Sequence, residues 1–318
     1  MSQPDKLWSV FFPSVPFNKN GRRVAAAFSE IENPVENFDT IIHEIQNYSG
    51  NNNKAKNISD FLKTKISDDL IGAYVHGSVA TSEEISYSDF DGFIILRNEI
   101  FRNAGRLKNT AMILKQSEKI MFEMDPLQHH GWFILTENDL KNYPEYYFPH
   151  ELLNYSKCLF GENKITIYLN KSGFKTEFHD SFNKMALGIL KKLDNREFLK
   201  NYYSFKNLLS EFMLLPSFYL QAKSGNGIFK KFSFEKVKNE LQEKYNVMDE
   251  ISALRTNWNY HPPSFYRSLK NKPSLFSRIF SAKNFSESLP ASLKNKFDDS
   301  FIQQMKDFIA ELKINLSK

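Results

Sequence analysis

Two short apolar runs, Leu70-Ile-Gly-Ala-Tyr-Val75 and Phe90-Asp-Gly-Phe-Ile-Ile-Leu96, constrain the fold more than any other feature of the 318-residue chain. Both are of strand type: they are brief, rich in aromatic and branched residues, and separated by a polar turn. Gln128-His-His-Gly-Trp-Phe-Ile-Leu135 ends in a third such run, and Lys164-Ile-Thr-Ile-Tyr-Leu169 is a fourth. Helical spacing surrounds them. Phe38, Ile41, Ile42 and Ile45 predict a helix that ends in the polar turn Ser49-Gly-Asn-Asn-Asn53, and Ser59 is the expected cap of a second helix through Phe61, Leu62 and Ile66. Helical spacing returns between 100 and 120.

After about residue 175 the strand pattern is gone. Met185–Leu193, Tyr202–Ala222, Phe234–Tyr245 and Phe301–Ile314 carry apolar residues three and four apart. Ser224-Gly-Asn-Gly227 is the clearest internal break, and residues 261–294, rich in Pro, Ser and Lys, are expected to contain a loop. Pro4, Pro13, Pro16 and Pro34 make residues 1–34 an irregular arm. The expected organisation is therefore that arm, an α+β domain over 35–170 built on a small mixed sheet with helices, and an all-helical domain over 171–318. Residues 146–161 read as the link between the domains.

Composition excludes several alternatives. The lone Cys158 rules out an internal disulfide and a cysteine-rich zinc site. No apolar stretch approaches the roughly 20 residues that span a bilayer, and the first residues are too broken by proline for a secretory leader. The expectation is a cytoplasmic protein with no membrane partner. Forty-two basic against 37 acidic residues, a net charge of +5, suit a nucleotide ligand and an ordinary solvated surface equally well.

The chemistry lies between the first two strands. Gly77-Ser78 follows the strand that ends at His76, where a helix is expected to begin. Glycine lets the backbone approach a ligand closely, and a hydroxyl beside exposed N–H donors suits a phosphate oxygen. About ten residues on comes Ser88-Asp89-Phe90-Asp91. Residues two apart on a strand share a face, so Asp89 and Asp91 would project together while Phe90 packs into the core behind them. Paired carboxylates beside a phosphate-binding turn are what Mg²⁺ and nucleotide phosphates require.

Residues 71–96 resemble the metal-and-phosphate motif of the DNA polymerase β nucleotidyltransferase superfamily: a hydrophobic strand, Gly-Ser, about ten residues, then Asp-hydrophobic-Asp. The resemblance implies a polymerase β-like core, two Mg²⁺ ions, and in-line transfer from a nucleoside triphosphate, ATP being the expected donor. By it, Asp89 and Asp91 are metal ligands, and Gly77, Ser78 and Ser88 contact the nucleotide. It also implies a third carboxylate on a neighbouring strand that activates the attacking hydroxyl. That group would be Asp125 or Glu123, with Asp125 preferred. By register, His130 stands where an acid is expected, and a histidine can act as a base though it is a weaker Mg²⁺ ligand. The pair His129-His130 reads as a poor zinc site, because neighbours on a strand point to opposite faces.

Residues 200–235 are similar to the C-terminal helical region of aminoglycoside adenylyltransferases. That likeness implies that Lys230 or Lys231, opening a helix after the Ser224–Gly227 turn, brings a cation to the triphosphate. Glu211 could serve as an acceptor-side base, or lie exposed on its helix. The implied acceptor is a small molecule such as an aminoglycoside. Transfer to tRNA or protein, and nucleotide binding without transfer, are the alternatives.

Overall fold

A computed structural model describes residues 37–261 and 286–318; the expected arm over 1–34 and most of the expected loop over 261–294 lie outside them. The chain forms an α+β structure in two compact units. The first takes in the residues up to Glu84, 89–144 and 152–172; the second takes in 85–88, 145–151 and everything from Gly173 on. The main boundary falls beside the expected one, and two short excursions of chain join the second unit.

In the first unit, strands β2 (Leu70–His76), β3 (Asp91–Leu96), β4 (Phe133–Thr136) and β5 (Lys157–Gly161) form a four-stranded sheet ordered β4-β3-β2-β5. The β3–β4 pair is parallel and the others are antiparallel, so the sheet is mixed. Every residue of β2 is buried, which is why the segment reads as a continuous apolar run. Ala73, Val75, Ile94 and Leu96 share a core with Ile58 and Leu62 of helix α1 (Asn53–Ile66) and with Leu107, Leu114 and Met121 of α3 (Ala104–Met124). On other positions of the same strands, Tyr74 stacks on its cross-strand partner Phe93 at 4.7 Å. Helix α2 (Gly77–Thr81) continues directly from β2, and α4 (Glu137–Lys141) from β4.

Three local expectations are corrected. Residues 38–44 are strand β1, not a helix, and pair antiparallel with β6 (Lys164–Asn170). The inward positions fall two apart, at Ile41, His43 and, just past the strand, Ile45, while Ile42 is 53% exposed. The 3,4-spaced isoleucines imitated a helix, and pairing with β6 decided otherwise. Helix α1 starts well before Ser59, because the Asn52 side chain accepts hydrogen bonds from the N–H groups of Lys54 and Ala55. Ser59 sits inside the helix and its hydroxyl donates to the Leu159 carbonyl at 2.9 Å. Residues 157–161 are sheet strand β5, not merely a connector, with Cys158 opposite Tyr74.

The second unit is helical, and its described residues contain no strand. Among the described residues its helices are α5 (Lys175–Asn195), α6 (Tyr202–Phe212), α7 (Leu215–Ser224), α8 (Lys230–Leu241), α9 (Asn246–Thr256), α10 (Ala291–Lys296) and α11 (Asp299–Ser317). The single helix expected over 202–222 is two, since Pro216 opens α7 where its missing N–H costs nothing. Phe178, Phe182, Ala186, Ile189 and Leu193 make the buried stripe of α5. No helix among the described residues is long and apolar enough to cross a membrane.

Candidate functional site

Topology brings three strand ends to one edge of the sheet. Because β2 and β3 are antiparallel, the last residue of β2, His76, lies opposite the first of β3, Asp91. Because β4 runs parallel to β3, with Phe93 opposite Phe133, the residues entering the two strands also arrive at that edge. Asp89 enters β3, and His129 and His130 enter β4.

The side chains converge there. His130 Nε2 lies 3.1 Å from Asp91 Oδ1 and 3.4 Å from Asp89 Oδ2, and His129 Nδ1 lies 3.7 Å from the same Asp89 oxygen. All four side chains keep between 20% and 27% of their surface exposed, so the cluster is open to solute. Burial opposes a charge on His130, but its hydrogen bonds to Asp89 and Asp91 outweigh that and raise its pKa well above the ordinary imidazole value. His76 behaves oppositely: burial dominates and lowers its pKa, leaving a neutral ring tilted against Phe133 at 5.7 Å.

Gly77 is required at its position. Its φ is +68°, and a Cβ placed there would lie 2.6 Å from Asp91 Oδ2. The main chain thus passes against the carboxylate as α2 begins. Phe90, fully buried, packs edge-on against Trp132 at 5.6 Å and sets Asp89 and Asp91 on either side of a fixed anchor. The buried Gln128 holds this arrangement together. Its Oε1 accepts the Phe90 N–H at 2.9 Å, and its Nε2 donates to the carbonyls of Phe90 at 2.9 Å and His130 at 3.0 Å. One amide therefore ties the carboxylate segment to the histidine segment.

The other residues singled out from the sequence make their contacts outside the cluster. Asp125, the preferred third carboxylate, ends α3, where its Oδ1 accepts the Leu127 N–H at 2.9 Å; it is no member of the Asp89–His129–His130 cluster. Glu123 is ion-paired with Lys54 of α1 and half exposed. Ser88 closes a turn, its hydroxyl accepting the Ile85 N–H at 3.0 Å, and belongs to the second unit. Ser78 lies in the first turn of α2, its carbonyl bonded to the Glu83 N–H at 2.9 Å. In the second unit, Lys230 and Lys231 open α8, where the likeness of residues 200–235 had put a helix start. Both Glu211 oxygens are bound by Lys192 at 2.6 Å, a partly buried pair and so not an exposed helix residue.

His129 and His130 do not lie on opposite faces of a strand from 128, as was expected: β4 begins only at Phe133, and in the irregular segment before it both rings reach Asp89. His76 and Gln128 were given no site role from the sequence, although both mark the strands there. Their only signal was position, each standing at the end or the approach of a strand.

As a donor set, the carboxylates of Asp89 and Asp91 suit a hard divalent cation, while the imidazoles of His129 and His130 offer nitrogen, which favours later first-row ions. Comparison with protein-family models, curated proteins and solved structures found no match.

Proposed function

We propose that the chain is a metal-dependent nucleotidyltransferase that moves a nucleoside monophosphate, AMP by the resemblance, from a nucleoside triphosphate to an acceptor hydroxyl. The observation that carries this reading is the convergence of Asp89 and Asp91 on the sheet edge where Gly77 turns the chain into α2. In the reaction the acceptor oxygen bonds to the α-phosphorus, the bond to the β-phosphate oxygen breaks, pyrophosphate leaves, and the hydroxyl proton passes to solvent. Asp89 and Asp91 would hold the divalent cation, Mg²⁺ by the resemblance. That cation would neutralise charge on the phosphate oxygens. The Gly77-Ser78 turn would meet the phosphates with backbone N–H groups and the Ser78 hydroxyl.

A small hydroxylated acceptor is the first choice, on the likeness of residues 200–235; tRNA or a protein side chain is the alternative. Binding without transfer is favoured by one observation, that among the described residues no carboxylate beyond Asp89 and Asp91 joins the cluster.

The test is pyrophosphate release from each nucleoside triphosphate, with pooled small-molecule and tRNA acceptors, beside Asp89→Ala and Asp91→Ala. Acceptor-dependent release, lost in both variants, is the expected result. Nucleotide binding with no release under any condition would make the protein a regulator. Equal release from the variants would end the assignment.

A further inference from the structure

We infer that Asp89, His129 and His130 form a mixed nitrogen–oxygen site for a first-row transition dication of the Mn²⁺–Zn²⁺ class, in preference to Mg²⁺. The inference concerns the same sheet edge as the proposed transferase and shares Asp89 with it, but metal binding can be measured without any transfer.

Geometry is the first argument. One donor atom from each of the three residues lies within 4.8 Å of the others, and the closest separations to Asp89 Oδ2 are 3.4 and 3.7 Å. Donors about 2.1 Å from one ion at tetrahedral or octahedral angles stand roughly 3.0–3.4 Å apart, so each histidine nitrogen is within a few tenths of an ångström of the spacing to Asp89 that a shared ion requires. Asp91 Oδ1 lies 3.1 Å from His130 Nε2 and borders the three-donor group without belonging to it.

The support around the donors is the second argument. A ligating imidazole is oriented by what its other nitrogen bonds. His130 Nδ1 lies 3.1 Å from the Gly131 carbonyl and donates to it, which turns Nε2 toward the carboxylates. The Gln128 amide grips the His130 carbonyl and the Phe90 peptide at once, holding nitrogen and oxygen donors in one frame. Donor chemistry is the third argument. Mg²⁺ takes oxygen ligands and sheds water reluctantly, whereas imidazole nitrogen favours the later first-row ions.

Titration of the purified full-length chain with Co²⁺, followed by its visible absorption and by calorimetry, tests the inference. The expected result is one ion per chain, displaced by an equimolar amount of Zn²⁺ and not by a large excess of Mg²⁺. His129→Gln and His130→Gln should each weaken Co²⁺ by at least about tenfold, the lower bound for loss of a group that supports a metal. His179→Gln, far along the sequence in α5, should leave it unchanged; thermal melts of all three show whether they fold. Ready displacement by Mg²⁺, or Co²⁺ affinity unaltered in both cluster variants, would overturn the inference. Full pyrophosphate release on Mg²⁺ with no Co²⁺ site would sink this inference and keep the transferase. A Co²⁺ site without release from any triphosphate would do the reverse.

Discussion

The Gln128 side chain and the Phe90 peptide form a closed pair of hydrogen bonds, 2.9 Å in each direction, inside the first unit. Gln128 thereby supplies the ladder partner that Phe90 lacks just before β3 begins, and its spare N–H reaches the His130 carbonyl. Gln128→Met keeps the volume and removes every bond. The expected cost is about 1–3 kcal/mol for each buried backbone group left unpaired, read from chemical denaturation. Gln128→Glu, which retains the acceptor only, should lose part of this. A variant as stable as the parent would show that the amide does not hold the segment.

Gly77→Ala should harm the site more than the fold. The left-handed backbone costs a non-glycine residue about 1–2 kcal/mol. The added methyl also has to displace the Asp91 carboxylate, since it would otherwise sit 2.6 Å from Oδ2. Transfer should fall by well over the factor that the lost stability explains, with kcat and melting temperature measured on one preparation. Unchanged turnover would separate Asp91 from the chemistry.

Lys206 is fully buried in the second unit, its ammonium donating to the Tyr87 carbonyl at 2.7 Å and lying 4.6 Å from the centre of the Tyr87 ring. Tyr87 returns a hydrogen bond to the Lys206 carbonyl at 2.8 Å. This exchange anchors the excursion 85–88 that leads into Asp89. Lys206→Met should cost about 1–3 kcal/mol through the orphaned carbonyl, and proteolysis should begin near residues 85–88. Resistance equal to the parent would contradict the anchoring role.

His150 supplies a pH dependence. Burial opposes its charge, but its hydrogen bond to the buried Glu145 at 2.9 Å and the nearby Glu151 prevail and raise its pKa. Folding therefore takes up protons at this residue. Its contribution is fully present below the unfolded value of about 6.5 and is lost as pH rises through the folded value. Stability of the parent should decline over that window by more than that of His150→Gln, in urea titrations across the pH range. Parallel pH profiles would remove the linkage.

Glu211→Gln should affect stability by less than about 1 kcal/mol, since its pair with Lys192 keeps roughly a third of each side chain exposed. Turnover should be unchanged. A large loss of kcat at constant stability would restore Glu211 as an acceptor-side base.

Much of the sheet and the order of its units was legible in one dimension. The apolar runs that became β2 and β3 had no other way to bury themselves, and the change to 3,4 spacing after residue 175 marked the helical unit. Gly77, Asp89, Phe90 and Asp91 were legible too, because their spacing across a strand and a turn is local. What remained hidden depends on partners distant in sequence. Whether 38–44 becomes helix or strand was decided by β6, more than a hundred residues later. Asp125 and Glu123 lay near enough in sequence to be candidates, but a helix end claimed one and Lys54 the other. His130, which register alone had set where an acid is expected, does reach Asp89 and Asp91, because parallel pairing of β3 and β4 carries the approach to β4 onto the edge where they emerge. The residue types set which chemistry the chain holds; only the pairing of its strands decided which of them meet.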